Sequence, residues 1–149
     1  MFAGSVFGQT KYETYTNARF GYSIQYPVGV LKPQKEADNG DGRVFVSADK
    51  TAELHVWGMY NALSDTLKKA YLSDLKERSV DITYKLLSSD SYVISRTVGS
   101  KIFYQKTILN GTDGDTRAIF STFRIEYRKA DKAKYDPIVK RIAKSFKFN

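Results

Sequence analysis

Apolar and polar residues alternate with a period of two in several short segments of the chain, a pattern typical of strands with one buried face. It predicts strands over residues 12–17 and 22–26, which are separated by turn residues. Pro27 ends the second strand because proline has no N–H to donate to a sheet. Residues 43–47 and 52–60 alternate in the same way around a short polar turn, so a hairpin is predicted there.

Helical spacing replaces this alternation over residues 64–78. Apolar residues recur there every three or four positions, from Leu67 to Leu75, and Ser64 suits the first turn of a helix. Alternation then returns and predicts strands over residues 81–87, 92–98, 101–109 and 116–127. Because short turns rather than long crossovers join these strands, we expect neighbours in the sheet to run antiparallel.

The clearest helix is predicted from the pattern that follows the last strand. Asp136 suits the cap position and Pro137 the first helical position. The apolar residues that line one face of this helix are Tyr135, Ile138, Val139, Ile142, Ala143 and Phe146. Since basic residues occupy the other side, we expect the apolar face to cover a sheet.

The order of elements, strands then helix then strands then helix, defines the expected fold class. Each helix must bury its apolar face against the sheet. We therefore predict an α+β fold with a mostly antiparallel β-sheet covered by helices on both faces. No composition break or internal repeat divides the chain, so residues 11–149 are interpreted as a single α+β domain and residues 1–10 as an N-terminal tail.

Composition excludes several kinds of chemistry. The 149 residues include no cysteine, so disulfides, thiolate nucleophiles and thiolate metal sites are absent. One histidine, His55, leaves no room for a multi-histidine metal site, and we predict no cofactor and no metal. No stretch approaches the roughly 18 apolar residues of a membrane span. The N-terminal tail lacks the features of a signal peptide, so it fits either an exported protein whose leader was removed or a cytosolic N-terminus.

Positive charge is concentrated in residues 128–149. The whole chain carries a net charge of +8, and this segment holds eight basic residues against Asp131 and Asp136. A basic surface favours acidic proteins, anionic lipids or nucleic acids as partners. The candidate partner-binding residues are Lys140, Arg141, Lys144 and Lys147. The alternative is that these residues form an ordinary solvated helix face.

Residues 38–42, with the sequence DNGDG, place two carboxylates in a glycine-rich loop that could bind calcium. Counting from Asp38, an EF-hand requires glycine and glutamate where this chain has Arg43 and Asp49. The spacing does not match, so we interpret the loop as a structural turn that leads into the next strand.

His55 and Trp57 lie two residues apart on a predicted strand and therefore share one face of the sheet. They form either an exposed platform for a partner or part of the interior beneath a helix, and we favour burial. A hydrolase would have to combine His55 with residues such as Ser47 and Asp49. No strained Gly-x-Ser-x-Gly turn presents a nucleophile, so we predict that the protein is not an enzyme.

Three segments resemble small bacterial exported proteins with a PsbP-like fold. They are YTNARFGYSIQYP from Tyr15 to Pro27, DNGDG followed by VFV over residues 38–46, and YDPIVKRIAKSF over residues 135–146. The resemblance implies an α/β/α sandwich, an envelope location and binding roles rather than catalysis. It brings no catalytic residues to this chain.

The sequence therefore predicts a non-catalytic interaction protein of the bacterial envelope, periplasmic or otherwise exported. An inhibitor or immunity protein that holds a partner protein belongs to this class. The alternative is a binder of nucleic acid or anionic lipid through the basic C-terminal surface. A cytoplasmic location also stays open.

Overall fold

The computed structural model describes residues 10–77 and 81–149, and the elements within those ranges follow the predicted order. The strands are β1 (Tyr12–Thr16), β2 (Tyr22–Pro27), β3 (Lys32–Pro33), β4 (Gly42–Val46), β5 (Glu53–Tyr60), β6 (Ile82–Leu87), β7 (Ser91–Val98), β8 (Lys101–Asn110), β9 (Ile119–Arg128) and β10 (Lys147–Phe148). The helices are α1 (Leu67–Glu77) and α2 (Lys132–Ser145), the second preceded by a short 3-10 turn at Lys129–Asp131. None of the helices described is long and apolar enough to cross a membrane.

The strands form two sheets rather than the one expected. The larger has the order β3-β4-β5-β9-β8-β7-β6, and the smaller has the order β1-β2-β10. Neighbouring strands pair antiparallel in both, so the prediction of mostly antiparallel sheet is confirmed. The pairing of β10 with β2 joins distant parts of the chain, which is why no local pattern indicated the second sheet.

One hydrophobic core joins the small sheet, α2 and one face of the large sheet. Ile24 of β2, Ile125 of β9 and Ile142 of α2 are fully buried in it. The apolar stripe predicted for the second helix packs here, and Tyr135 stacks on Tyr127 with ring centroids 4.9 Å apart. This arrangement leaves the opposite side of α2 facing solvent.

The other face of the large sheet is only partly covered. Helix α1 packs against β7, where Leu67, Tyr92, Ile94 and Phe120 form a smaller apolar cluster. Alternate residues of β5 on the same face, including Trp57, remain half-buried. The expectation that helices cover both faces is therefore not confirmed, because α1 is too short to reach across the width of the sheet.

Both helices begin at residues other than those predicted. Helix α1 begins at Leu67, because Ser64 adopts a left-handed backbone with φ 57° and Thr66 Oγ1 accepts the N–H of Lys69 at 3.1 Å. Residue 78, its predicted end, lies outside the described residues. Helix α2 begins at Lys132, so Pro137 lies inside the helix rather than at its first position.

Candidate functional site

A groove of about 780 Å³ lies between the outer face of the small sheet and helix α2. Its floor consists of alternate residues of two strands: Thr14 and Thr16 of β1, with Ser23 and Gln25 of β2. Thr14 pairs with Gln25 and Thr16 with Ser23, so all four side chains point to the same face. The opposite face of this sheet is buried in the core, and the floor of the groove is consequently polar.

Helix α2 and strand β10 supply the wall and the end of the groove. Lys140, Arg141 and Lys144 project from the solvent side of α2, opposite the buried Ile142. Lys147 of β10 pairs with Ser23 and reaches the same groove. The structure therefore brings together the four basic residues that the sequence indicated, on a surface that the sequence did not reveal.

None of the described residues that line this groove has an acidic side chain. Among the described residues, none of its four basic side chains forms an ion pair within 4.0 Å, whereas other basic residues nearby do. Lys132 Nζ lies 2.6 Å from Asp136 Oδ2, and Arg128 Nε lies 2.8 Å from Asp131 Oδ2. Four of the eight basic residues of the C-terminal segment therefore lie in the groove without an ion-pair partner.

Two side chains of α2, those of Arg141 and Ser145, fix the helix against the groove floor. Arg141 Nε donates to Gln25 Oε1 at 3.2 Å, and its guanidinium carbon lies 4.2 Å from the centre of the Tyr12 ring. Ser145 Oγ accepts the N–H of Gln25 at 2.9 Å and donates to the carbonyl of Ile142. Partial burial raises the pKa of the Tyr12 hydroxyl, and the charge of Arg141 offsets part of that rise.

The groove has the chemistry of an anion-binding surface. Ammonium and guanidinium groups bind carboxylates or phosphates, and the exposed hydroxyls of Thr14 and Thr16 can donate further hydrogen bonds. Within residues 10–77 and 81–149, no carboxylate or imidazole side chain lines it to act as a general base. The geometry therefore supports binding of an anionic group.

His55 and Trp57 lie on the opposite face of the large sheet and are not part of the groove. Both are half-buried, so the predicted burial in the interior is wrong, because α1 packs over β7 rather than over β5. His55 Nε2 lies 2.9 Å from Glu53 Oε2, two residues earlier on the same strand. Neither residue belongs to the core clusters of the fold.

Glu53, His55 and Glu126 place three ligand atoms within 4.8 Å of one another, so these side chains could hold a divalent cation. The sequence prediction missed this group, although Glu-x-His on one strand indicates half of it and the pairing of Glu53 with Glu126 supplies the rest. Lys101 Nζ lies 3.9 Å from Glu126 Oε2. The ammonium group of Lys101 therefore already supplies positive charge to this cluster of three side chains.

Hydrogen bonds inside the protein hold the loop over residues 38–42. The carbonyl of Gly40 accepts from the buried Asn17 at 2.9 Å, and the carbonyl of Asp41 accepts from the hydroxyl of Tyr22 at 2.8 Å. Gly40 has a φ of 72°, which favours glycine at this position. These bonds match the interpretation of the loop as a structural turn.

The chain has a PsbP-like fold. Its structure is similar to the solution structure of cyanobacterial PsbP (CyanoP) from Synechocystis, with a TM-score of 0.64 and 16% sequence identity over 100% of this chain and 98% of that one. It is also similar to a point mutant of the protein Mog1, with a TM-score of 0.50 and 10% identity over 93% and 96% of the two chains. At these identities the likeness shows the fold alone.

No protein-family model matches the chain, and no curated protein matches its sequence.

Proposed function

We propose that this protein is a non-catalytic binding protein that holds an acidic segment of a partner protein in the groove between the small sheet and α2. The observation that carries the proposal is the set of four basic side chains without acidic partners on one acid-free surface. Like charges held close together repel one another, so an anionic segment that enters the groove relieves this repulsion. It also adds charge-assisted hydrogen bonds.

An acidic peptide fits the groove better than a nucleic acid does. Among the described strands, β1 is an edge of the small sheet, so an extended peptide can pair with its outer backbone while its carboxylates reach α2. Among the described residues, the aromatic ring beside this floor is that of Tyr12, and the guanidinium of Arg141 already lies over it, so the ring is not free for the base stacking that single-stranded nucleic acids use. The polar floor of hydroxyl and amide groups suits peptide groups and carboxylates.

A narrower form of the proposal is an inhibitor or immunity protein that covers an acidic surface of its partner. We also propose an exported, envelope location, which is supported by the resemblance to small exported proteins described above. Antibody detection of the native protein in fractionated cells tests the location. Recovery only in the cytoplasmic fraction contradicts it without affecting the proposed binding surface.

The binding proposal is tested by titration with a short oligoglutamate peptide while amide chemical shifts are followed by NMR. We expect the shifts to map to β1, β2 and α2, and the affinity to fall steeply as salt is added. The double variant Lys140→Glu, Lys144→Glu is expected to lose binding. The matched control Lys68→Glu, Lys85→Glu changes net charge equally at exposed lysines outside the groove and is expected to bind nearly normally.

Oligothymidylate and phosphatidylglycerol vesicles, titrated in the same buffer, distinguish the alternative partners. The proposal requires the peptide to bind more tightly than either. Tighter binding of oligothymidylate would identify nucleic acid as the partner, and tighter binding of the vesicles would identify anionic lipid. Equal loss in both double variants would show that net charge, and not the groove, governs association.

A further inference from the structure

A second groove, of about 310 Å³, lies on the opposite side of the molecule, between strand β5 and helix α1. It occupies the part of the sheet face that α1 leaves uncovered. Trp57, Tyr60 and Phe120 contribute aromatic rings to its lining, and Met59 and Leu63 stand at its rim with 53% and 82% of their surface exposed. The volume lies at the lower end of the roughly 300–1,000 Å³ range of ligand sites, so a small molecule fits it.

The charge of this groove is opposite to that of the chain as a whole. Its lining contains two carboxylates, those of Asp65 and Asp74, and none of the described residues that line it is lysine, arginine or histidine. The chain as a whole has a net charge of +8, so this groove is an acidic surface on a basic protein. Cationic ligands are therefore favoured at this site.

Asp74 is held in place by neutral donors. Its Oδ2 accepts a short hydrogen bond from the Tyr92 hydroxyl and a bond of 3.1 Å from Gln105 Nε2. Tyr92 and Gln105 are buried on the sheet, with 4% and 8% of their surface exposed, so they fix the carboxylate rigidly. Neither bond uses Oδ1, and neither donor neutralises the negative charge.

Asp65 is different because it already has a cationic partner. Its Oδ1 lies 2.8 Å from Lys69 Nζ, one turn further along. Asp74 is consequently the carboxylate in this groove whose charge a ligand can satisfy. It stands beside rings whose faces attract cations.

We propose that this groove binds a small organic amine that carries an aromatic or aliphatic group. The ammonium group donates to Asp74 Oδ1, and the apolar body packs against Trp57 and Phe120, below the exposed rim. The two interactions are complementary, since a neutral apolar molecule leaves the carboxylate unpaired and a simple inorganic cation leaves the rings uncovered. This site is separate from the basic groove and does not depend on the function proposed for it.

The test uses Trp57, the single tryptophan of the chain, as the reporter. The full-length protein is titrated with phenethylamine and with phenethyl alcohol, which has a similar shape and no charge, while tryptophan fluorescence is recorded. We expect a saturable change with the amine and an affinity about tenfold weaker for the alcohol, whose hydroxyl can donate a hydrogen bond to the carboxylate but carries no positive charge. No saturable change, or equal affinities, would overturn the proposal.

Two variants test whether the carboxylate of Asp74 is the group that binds the amine. Asp74→Asn keeps the shape and an acceptor for Tyr92, and we expect it to weaken amine binding about tenfold without affecting phenethyl alcohol. Asp38→Asn is the matched control, since it removes the same charge at an exposed site outside the groove. Unchanged affinity in folded Asp74→Asn would contradict the assignment.

Met59→Lys provides an independent measurement if Asp74→Asn fails to fold. Met59 is exposed at the rim, so the change introduces a cation at the groove without disturbing the core. We expect it to weaken binding of the amine and to leave binding of the alcohol nearly unchanged. Equal amine affinity in this variant and the wild type would overturn the proposal.

Discussion

Asp49 shows how single hydrogen bonds at a turn affect stability. Its Oδ1 accepts from Thr51 Oγ1 and from Ser47 Oγ, each at 2.7 Å, and from the N–H of Thr51. These bonds lower the pKa of the carboxyl from 3.8 to about 2, and the bond from the Thr51 hydroxyl has the largest effect. The ionised form is thus favoured in the folded state relative to the unfolded chain.

This shift predicts a pH-dependent contribution to stability. The contribution is complete above the unfolded-state pKa of 3.8 and is lost as the pH falls through about 2. We expect the difference in unfolding free energy between the wild type and Asp49→Asn to shrink over that interval, as measured by urea denaturation. Thr51→Val removes the strongest donor and is expected to reduce the effect. A difference that does not vary with pH would contradict the assignment.

Gly42 provides a second test at the scale of one residue. A Cβ atom at this position would lie 1.9 Å from the carbonyl oxygen of Val56 on the neighbouring strand. Gly42→Ala must therefore push β4 and β5 apart, and we expect a loss of about 1–3 kcal/mol in unfolding free energy. Gly29→Ala, whose Cβ meets nothing within 4 Å, is the control and should change stability by less than about 0.5 kcal/mol. Equal effects would contradict this packing.

The sequence predicted buried residues better than the residues that form the sites. Helical spacing indicated core positions such as Ile138 and Ile142, because burial repeats with the period of the element. The basic residues of α2 were predicted as candidates from charge alone. The polar floor of Thr14 and Thr16 was missed, because alternation shows that polar residues share a face but not which helix stands beside that face.

Helix α2 is the element on which both the core and the basic groove depend. Ile142 is fully buried, so Ile142→Ala is expected to lower the unfolding free energy by about 2–5 kcal/mol. The Lys140→Glu, Lys144→Glu variant changes exposed residues of the same helix and should melt within a few degrees of the wild type.

A chain that ends before Ala133 should lose its cooperative melt. Retention of that melt would show that α2 lies outside the core.

Elements with strong local patterns were predicted well, and the boundaries set by distant contacts were not. The β4–β5 hairpin and the long strands β8 and β9 appear where the alternation predicted them. The start of α2 was misplaced because Pro137 suits a first helical position, whereas the 3-10 turn after β9 leads into the helix earlier. Strand β10 has only two residues, too few for any periodic signal.

At the scale of the whole molecule, the basic groove and the amine-binding groove lie on opposite faces of the large sheet. The basic groove belongs to the side that carries Phe123 and Ile125, and the amine-binding groove to the side that carries Phe120 and Thr122. The two grooves share none of the residues that the structure describes. Ligands of opposite charge can therefore occupy them at the same time.

This separation predicts that the two grooves bind independently. We expect Lys140→Glu, Lys144→Glu to leave phenethylamine affinity unchanged within about twofold, and Asp74→Asn to leave oligoglutamate affinity unchanged, since distant sites without shared partners act additively. Both affinities are measured near physiological ionic strength, where charges further apart than about 8 Å are largely screened. Reciprocal changes in both affinities would instead demonstrate coupling through the sheet.

The pairing of β2 with elements far along the chain also determines when the fold can close. Gln25 is bonded to Ser145, 120 residues downstream, and Ser23 to Asn149, 126 residues downstream. Tyr22 and Ile24 lie on the apolar face of the β1–β2 hairpin. During synthesis, this face stays exposed to solvent until α2 leaves the ribosome. Such non-local closure slows folding. The nascent chain therefore exposes this apolar surface for most of its translation, a condition that favours aggregation until α2 has been made.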